Sequence, residues 1–303
     1  MQLTLAVAIA PALFLLWVFQ RLDSKRPEPP GSVRNVVLLG IGSCIPAALI
    51  ELAMSAALGD VTHAGGRFLD AFLIAGFTEE TLKLACVLVY LWRKPHFDEV
   101  MDGILYTAAA SLGFALLENI LYAGGNLAIG ILRALTAVPM HALASGLMGY
   151  FVGRARFARG AAAGWIVGGL TVAVGIHGFY DWALMSQGGY GVAPSDVGLM
   201  LLGVAGTLVL SAALLFGAYR HALHLDDALL GPHARPLESP QTGAPTPSST
   251  PLPYAGMPVQ VLWSDGATYS ATLLGGQGGH FLCELGLGRA EWVPRERVWP
   301  AQA

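Results

Sequence analysis

Along the first 220 positions of this chain, apolar residues come in long blocks and the polar residues gather between and within them in small groups. Seven segments, about 3–20, 34–58, 68–92, 101–123, 127–152, 161–185 and 197–219, read as membrane-crossing helices. A hydrocarbon core about 30 Å thick takes roughly 20 apolar residues of helix. The first, "MQLTLAVAIAPALFLLWVFQ", lacks a positive leading region and a small-residue cleavage site, so it is expected to be a retained helix and not a signal peptide. Arg21, Lys25, Arg26 and Arg34 follow the first segment, Arg93 and Lys94 the third, and Arg154, Arg156 and Arg159 the fifth, whereas the alternate loops carry only Arg67. Positive loops mark the cytoplasmic side. The N-terminus is therefore expected outside and the C-terminus inside.

Past residue 230 the pattern changes. Residues 231–256, "GPHARPLESPQTGAPTPSSTPLPYAG", form a linker too polar and Pro-rich to pack. In "MPVQVLWSDGATYSATLLG", two short strands are predicted to join at Ser264-Asp265-Gly266, with further strands in "HFLCELG" and "AEWVPRERVWP". The expected fold is an all-α polytopic membrane bundle of about seven transmembrane helices over 1–230, N-out and C-in. Residues 257–303 add a small β-rich module, SH3-like and similar in pattern to Tudor-type domains, with Trp263, Tyr269 and Trp292 expected in its core. The linker has no apolar pattern, so the module is expected to be loosely coupled, to lie in the cytoplasm and to bind a partner there.

Composition agrees with the helix pattern: 54% of residues are hydrophobic and 12% charged, against about 25% charge in a soluble domain. Mean hydropathy is +0.57. A multi-pass protein of the cell membrane, in contact with the lipid bilayer, is expected. A net charge of -3 gives no sign of a nucleic-acid partner. Cys44, Cys86 and Cys283 lack metal-type spacing and read as small buried hydrophobes.

Against this background the polar residues inside the spans stand out, since a charge at the centre of a membrane helix costs roughly 2.5–3.5 kcal/mol on insertion scales. The third segment holds Glu79, Glu80 and Lys83 in "GFTEETLKL"; the fourth holds Glu118 and Asn119; the fifth Arg133 and His141; the sixth His177 and Asp181; and Glu51 lies late in the second. At about 1.5 Å per residue, the acidic and histidine groups of spans three to six all fall between the outer surface and the midplane, although their helices alternate in direction. One shared polar cavity is expected. Glu79 and Lys83, four apart, share a helix face, and Glu80, rotated by about 100°, is expected to be free of that lysine. His177 and Asp181 are also four apart, so the carboxylate can orient the imidazole or join it at a metal. Gly113, Gly146, Gly149, Gly175 and Gly178 would let these helices approach closely. Glu51 and Arg133 read as structural or gating groups, and His63, His96, His221, His224 and His233 as solvated.

Two histidines among carboxylates suit two chemistries. In one, His141, His177 and a carboxylate hold a divalent metal such as zinc while Glu80 takes a proton from its water. In the other, Glu80 activates water directly and the imidazoles stabilise the developing oxyanion. A proton-coupled transporter also uses buried Glu and His relays, but the chain shows no repeat between its halves. A non-catalytic scaffold that captures helices is a third reading.

Four stretches over about residues 5–220 carry a family resemblance: "EETLK", "DGILY" with "GFALLENILY", "MHALASGLMGY" and "HGFYD". In this order they resemble the PrsW-type intramembrane proteases, relatives of the type II CAAX prenyl endopeptidases in the wider glutamate/histidine membrane protease superfamily. Lys83 and Glu118 favour the PrsW branch, since CAAX-type relatives more often have an arginine after the paired glutamates and a histidine in the place of Glu118. The resemblance implies endopeptidase cleavage of a single-pass membrane protein in regulated signalling. It implies catalytic roles for Glu79, Glu80, Glu118, His141 and His177, with Lys83, Asn119 and Asp181 in support, and His141 and His177 as metal ligands.

Overall fold

The computed structural model describes residues 2–59, 64–123, 126–158, 160–186, 197–230, 256–262, 268–277, 280–284 and 290–301. Its helices are α1 (Gln2–Leu22), α2 (Pro30–Leu58), α3 (Ala64–Leu69), a π-helical stretch (Asp70–Phe77), α4 (Thr78–Tyr90), α5 (Val100–Ala123), α6 (Leu127–Leu135), α7 (Ala137–Phe157), α8 (Ala162–Ser186) and α9 (Val197–Leu230). Among the described residues, six helical stretches are long and apolar enough to cross a membrane: Gln2–Leu22, Pro30–Leu58, Val100–Ala123, Leu127–Phe157, Ala162–Met185 and Val197–Asp227. The chain is a multi-pass membrane protein.

Helix α5 is the axis of the bundle. Its apolar window is 89% buried, against 22% for those of α1 and α9, and it packs against α1, α2 and α7, with α7 in turn against α8. The bilayer gives helices no hydrophobic reason to associate, so backbone-to-backbone fit has to supply the attraction. A Cβ added to Gly103 would run into the Gly149 carbonyl, one on Gly149 into the Gly103 carbonyl, and one on Gly153 into the Val100 carbonyl; Gly113 of α5 sits likewise against Val37 of α2. Gly146 and Gly178 lie against the side chains of Leu215 and Phe72. The expectation for Gly175 is corrected, because an added Cβ there meets nothing within 4 Å.

Two expected spans are interrupted. The segment read as 68–92 is helical from Ala64 to Tyr90 but widens into π geometry over Asp70–Phe77, a form that often marks functional sites. The segment read as 127–152 breaks at Thr136 into α6 and α7. Pro139, in the first turn of α7, has no N–H for the Leu135 carbonyl and its ring would clash with that oxygen.

The C-terminal residues form a five-stranded antiparallel sheet, β1 (Pro258–Leu262), β2 (Thr268–Gln277), β3 (His280–Glu284), β4 (Ala290–Pro294) and β5 (Val298–Pro300), in the order β4-β3-β2-β1-β5. The expected Ser264-Asp265-Gly266 turn and Trp263 lie outside the described residues. Alternating positions supply the core: Val259, Val261, Ala271, Leu273, Cys283, Val293 and Val298. Trp292 was expected there but is 53% exposed. Tyr269 is buried at the edge of the module, where its hydroxyl meets His96 Nδ1 at 2.6 Å and the two rings stack at 5.6 Å. The sheet therefore touches the turn before α5, which corrects both the loose coupling and the solvated His96. His221 and His224 are exposed, as expected, and His63 and His233 lie outside the described residues.

Gly149→Val is expected to lower the thermal midpoint in detergent clearly, at an overpacking cost of about 1–3 kcal/mol, while Gly175→Ala leaves it unchanged. Equal midpoints for both variants would refute the close α5–α7 contact.

Candidate active site

The glutamates enter the bundle in the first turn of α4, immediately after the π-helical stretch. Thr78, Glu79, Glu80 and Lys83 are all buried there. Lys83 Nζ reaches Glu79 Oε2 at 2.9 Å and Glu80 Oε1 at 2.8 Å, and it also lies 2.9 Å from His141 Nδ1. The expectation that Glu80 is free of the lysine is thus corrected. Residues three apart on a helix are neighbours just as residues four apart are, and Lys83 uses both spacings.

Glu80 is the more constrained carboxylate. It is 0% exposed. Its Oε1 also faces His177 Nδ1 at 2.9 Å, and its Oε2 accepts the Ser145 hydroxyl at 2.6 Å. Glu79 Oε2 lies 3.9 Å from His141 Nδ1 and 3.8 Å from His177 Nε2. No hydrogen bond to Glu79 Oε1 occurs among the described residues.

Each histidine is held from its outer side. His141 Nε2 is 2.7 Å from Glu118 Oε2, and Glu118 Oε1 pairs with Arg133 at 2.9 Å. Arg133 Nε donates to Asn119 Oδ1 at 3.1 Å, and Asn119 Nδ2 donates to the Ala8 carbonyl at 3.1 Å, which anchors the chain of bonds to α1. An ammonium can only donate, so His141 Nδ1 accepts from Lys83 and its proton sits on Nε2, toward Glu118. His177 has Asp181 Oδ2 3.2 Å from Nε2 and Glu80 beside Nδ1. With a carboxylate at each nitrogen, both are satisfied when the ring carries two protons. The two rings meet edge to face at 4.9 Å.

All five residues expected to be catalytic therefore meet in one buried cluster, with Lys83, Asn119 and Asp181 around it. Arg133 belongs to the cluster as the partner of Glu118. Glu51 is half-buried, and its Oε1 is enclosed without a hydrogen-bond partner among the described residues. Ser145 was missed. It lies four residues after His141 and so on the same face, and that spacing was the available signal. Ser111, which donates to the His141 carbonyl at 2.8 Å, was missed as well.

Glu79, Glu80, His141 and His177 each place one donor atom within 4.8 Å of the others. A set of two imidazoles and carboxylates is of the kind that binds a divalent metal.

Comparison with known proteins bears on what this cluster does. Residues 28–215 match the family described as PrsW family intramembrane metalloprotease. The chain belongs to the PrsW family. Among PrsW relatives, Protease PrsW of Bacillus subtilis (strain 168) is 38% identical over 182 residues, covering 59% of this chain and 82% of the relative. Protease PrsW of Geobacillus kaustophilus (strain HTA426) is 36% identical over 188 residues, covering 62% and 82%. Protease PrsW of Clostridioides difficile (strain 630) is 32% identical over 124 residues, covering 39% and 52%. No solved structure matches the chain. PrsW membership makes the protein a membrane protease, and the transporter and scaffold readings give way to it. The C-terminal sheet lies outside the matched PrsW region.

Lys83→Met is expected to destabilise the protein by about 3–5 kcal/mol, because it leaves the two glutamates buried without their cation. The check is the thermal midpoint of the purified variant in detergent. An unchanged midpoint would mean that Lys83 does not neutralise the pair.

Proposed function

We propose that this chain hydrolyses a peptide bond in or near the transmembrane segment of a single-pass membrane protein, with Glu79 taking the proton from the attacking water. The carrying observation is the asymmetry between the two glutamates. Glu80 has both oxygens engaged, by Lys83, His177 and Ser145, whereas Glu79 stands beside both imidazoles with one oxygen uncommitted among the described residues. This shifts the base from Glu80, the residue expected from the sequence, to its neighbour. Glu80 then positions His177, and a doubly protonated His177 opposes negative charge developing on the scissile carbonyl oxygen. Glu118 holds His141 so that Nδ1 faces the centre.

In the alternative in which His177 is neutral, Glu79, His141 and His177 are the residues that would hold a divalent metal such as zinc, which would supply an acidified water and a polarised carbonyl when bound. A metal-free reading is favoured by one feature. Lys83 Nζ already lies 2.8–2.9 Å from Glu79, Glu80 and His141, where a cation would serve to neutralise them.

The seven-span topology, with the C-terminus in the cytoplasm, is supported by contacts at one end of the bundle. Arg26, after α1, pairs with Glu99, before α5, which supports a return crossing between Ala64 and Tyr90 after α2. The positive loops gather at that same end. The strand order and the 3-10 turn at Arg295–Arg297 support the SH3-like reading of the module, whose proposed task is to bind a cytoplasmic partner.

In a reconstituted assay on single-pass substrates, Glu79→Gln is expected to slow cleavage at least about 100-fold, in the range of a lost general base, with the thermal midpoint unchanged. Cleavage at the wild-type rate would sink the assignment. The chelator arm separates the two chemistries. Activity lost on chelation and restored by zinc supports the metal centre, and activity indifferent to chelation supports the metal-free one.

A further inference from the structure

About 24 Å along α5 from Glu118, sixteen residues at 1.5 Å each, a second set of acidic side chains is packed out of solvent. Asp23 follows α1, Glu28 precedes α2, Asp98 and Glu99 lead into α5, and Asp102 lies in its first turn. Asp23 and Glu99 are 3% exposed and Asp102 is 0% exposed. Part of this charge is accounted for. Arg26 pairs with Glu99 and with Asp227 at 3.0 Å each, and the Tyr106 hydroxyl donates to Glu28. Asp102 Oδ2 accepts the N–H groups of Asp98 and Glu99 at 2.9 and 2.7 Å. Among the described residues, Asp102 Oδ1 is sealed from solvent and takes no hydrogen bond from an N–H or hydroxyl donor, with the Glu28 carboxyl facing the Asp102 side chain.

The spacing of the carboxylates is a second observation beside that oxygen. One oxygen from each of Asp23, Glu99 and Asp102 lies within 4.8 Å of the other two, and the same holds for Glu28, Asp98 and Asp102. Asp102 is common to both trios. We propose that this cluster binds a divalent cation of the calcium–magnesium class, with Asp102 as the central ligand and Asp23, Glu28, Asp98 and Glu99 around it. The donor set is all carboxylate oxygen, without imidazole or thiolate, which is the chemistry of a hard cation. Oxygens 2.3–2.6 Å from calcium stand at most about 5 Å apart across the ion, so either trio closes on one ion with small movements. Arg26 does not fill the role, since its two Nη groups are committed to Glu99 and Asp227 and neither bonds Asp102.

A cation here ties the α1–α2 connection to the turn that precedes α5. His96 of that turn carries the contact with Tyr269 of the sheet. The site is thus placed to set how firmly the C-terminal module is seated, at a distance from the catalytic cluster and independent of its chemistry.

The test uses the full chain in detergent, stripped with a chelator, dialysed, and titrated with calcium chloride or magnesium chloride alone. The thermal midpoint is expected to rise saturably, by about 5 °C at a hundredfold excess over Kd. Asp102→Asn should abolish the rise, and Asp23→Asn should shift the titration at least about tenfold to higher concentration. Glu79→Gln should keep the full rise, which separates this site from any metal at the catalytic cluster. If Asp102→Asn does not fold, Asp23→Asn decides. No rise with either cation in the wild-type protein, or an unaltered titration in Asp23→Asn, would overturn the proposal. So would loss of the rise in Glu79→Gln.

Discussion

One ammonium group makes the buried site tolerable. Glu79 and Glu80 sit 5% and 0% exposed inside a bundle that crosses a membrane, and an unpaired carboxylate in such a place costs several kcal/mol. Lys83 has three protons and meets three acceptors, Glu79, Glu80 and His141. Its remaining side is covered by the Phe114 ring, with Nζ 4.3 Å from the centroid, a favourable position for a cation over a π face. A guanidinium would not fit this place. Its donors lie in a plane and fork outward, whereas these acceptors converge on a point. The tautomer of His141 and the fixed carboxylate of Glu80, which in turn holds His177, follow from that one charge.

The supports around the centre share a design. Each ring has a carboxylate behind it, and Glu118 has an arginine and an asparagine behind it in turn, ending on the α1 backbone. Such outer partners fix ring orientation and protonation, which is the work that groups behind a reactive centre do in hydrolytic sites generally. The result is a centre whose groups are aimed before any substrate arrives.

Much of this was legible in the sequence because polar residues are expensive in a bilayer and therefore conspicuous. Glu79, Glu80, Glu118, His141 and His177 announced themselves by their surroundings, and the four-residue spacing of His177 and Asp181 gave their pairing outright. The division of labour between the glutamates was harder to see. The rotation of about 100° between Glu79 and Glu80 drew attention away from the three-residue spacing of Glu80 and Lys83, which leaves them only about 60° apart on the helix. Ser145 hid among alanines and glycines, where a hydroxyl looks like another small packing residue. Arg133 lies on the short helix that Pro139 cuts off, so counting turns from His141 along one continuous helix misplaces it. Tyr269 and His96 belong to segments far apart in the chain, and no local pattern predicts a contact of that kind.

The burial of α5 has a consequence for how the protein is made. This helix carries Asp102, Glu118 and Asn119, and in the finished bundle its apolar window is almost wholly enclosed. During synthesis it leaves the ribosome before α7, whose glycines pack against it, and before α8, which closes on α7. Until those helices exist, its polar groups have no protein partners on that side. The most central helix of the structure is therefore the one least able to rest in lipid alone, so biogenesis has to hold it at the insertion machinery, or in company with α1 and α2, while the residues from Ala123 to Ser186 are translated.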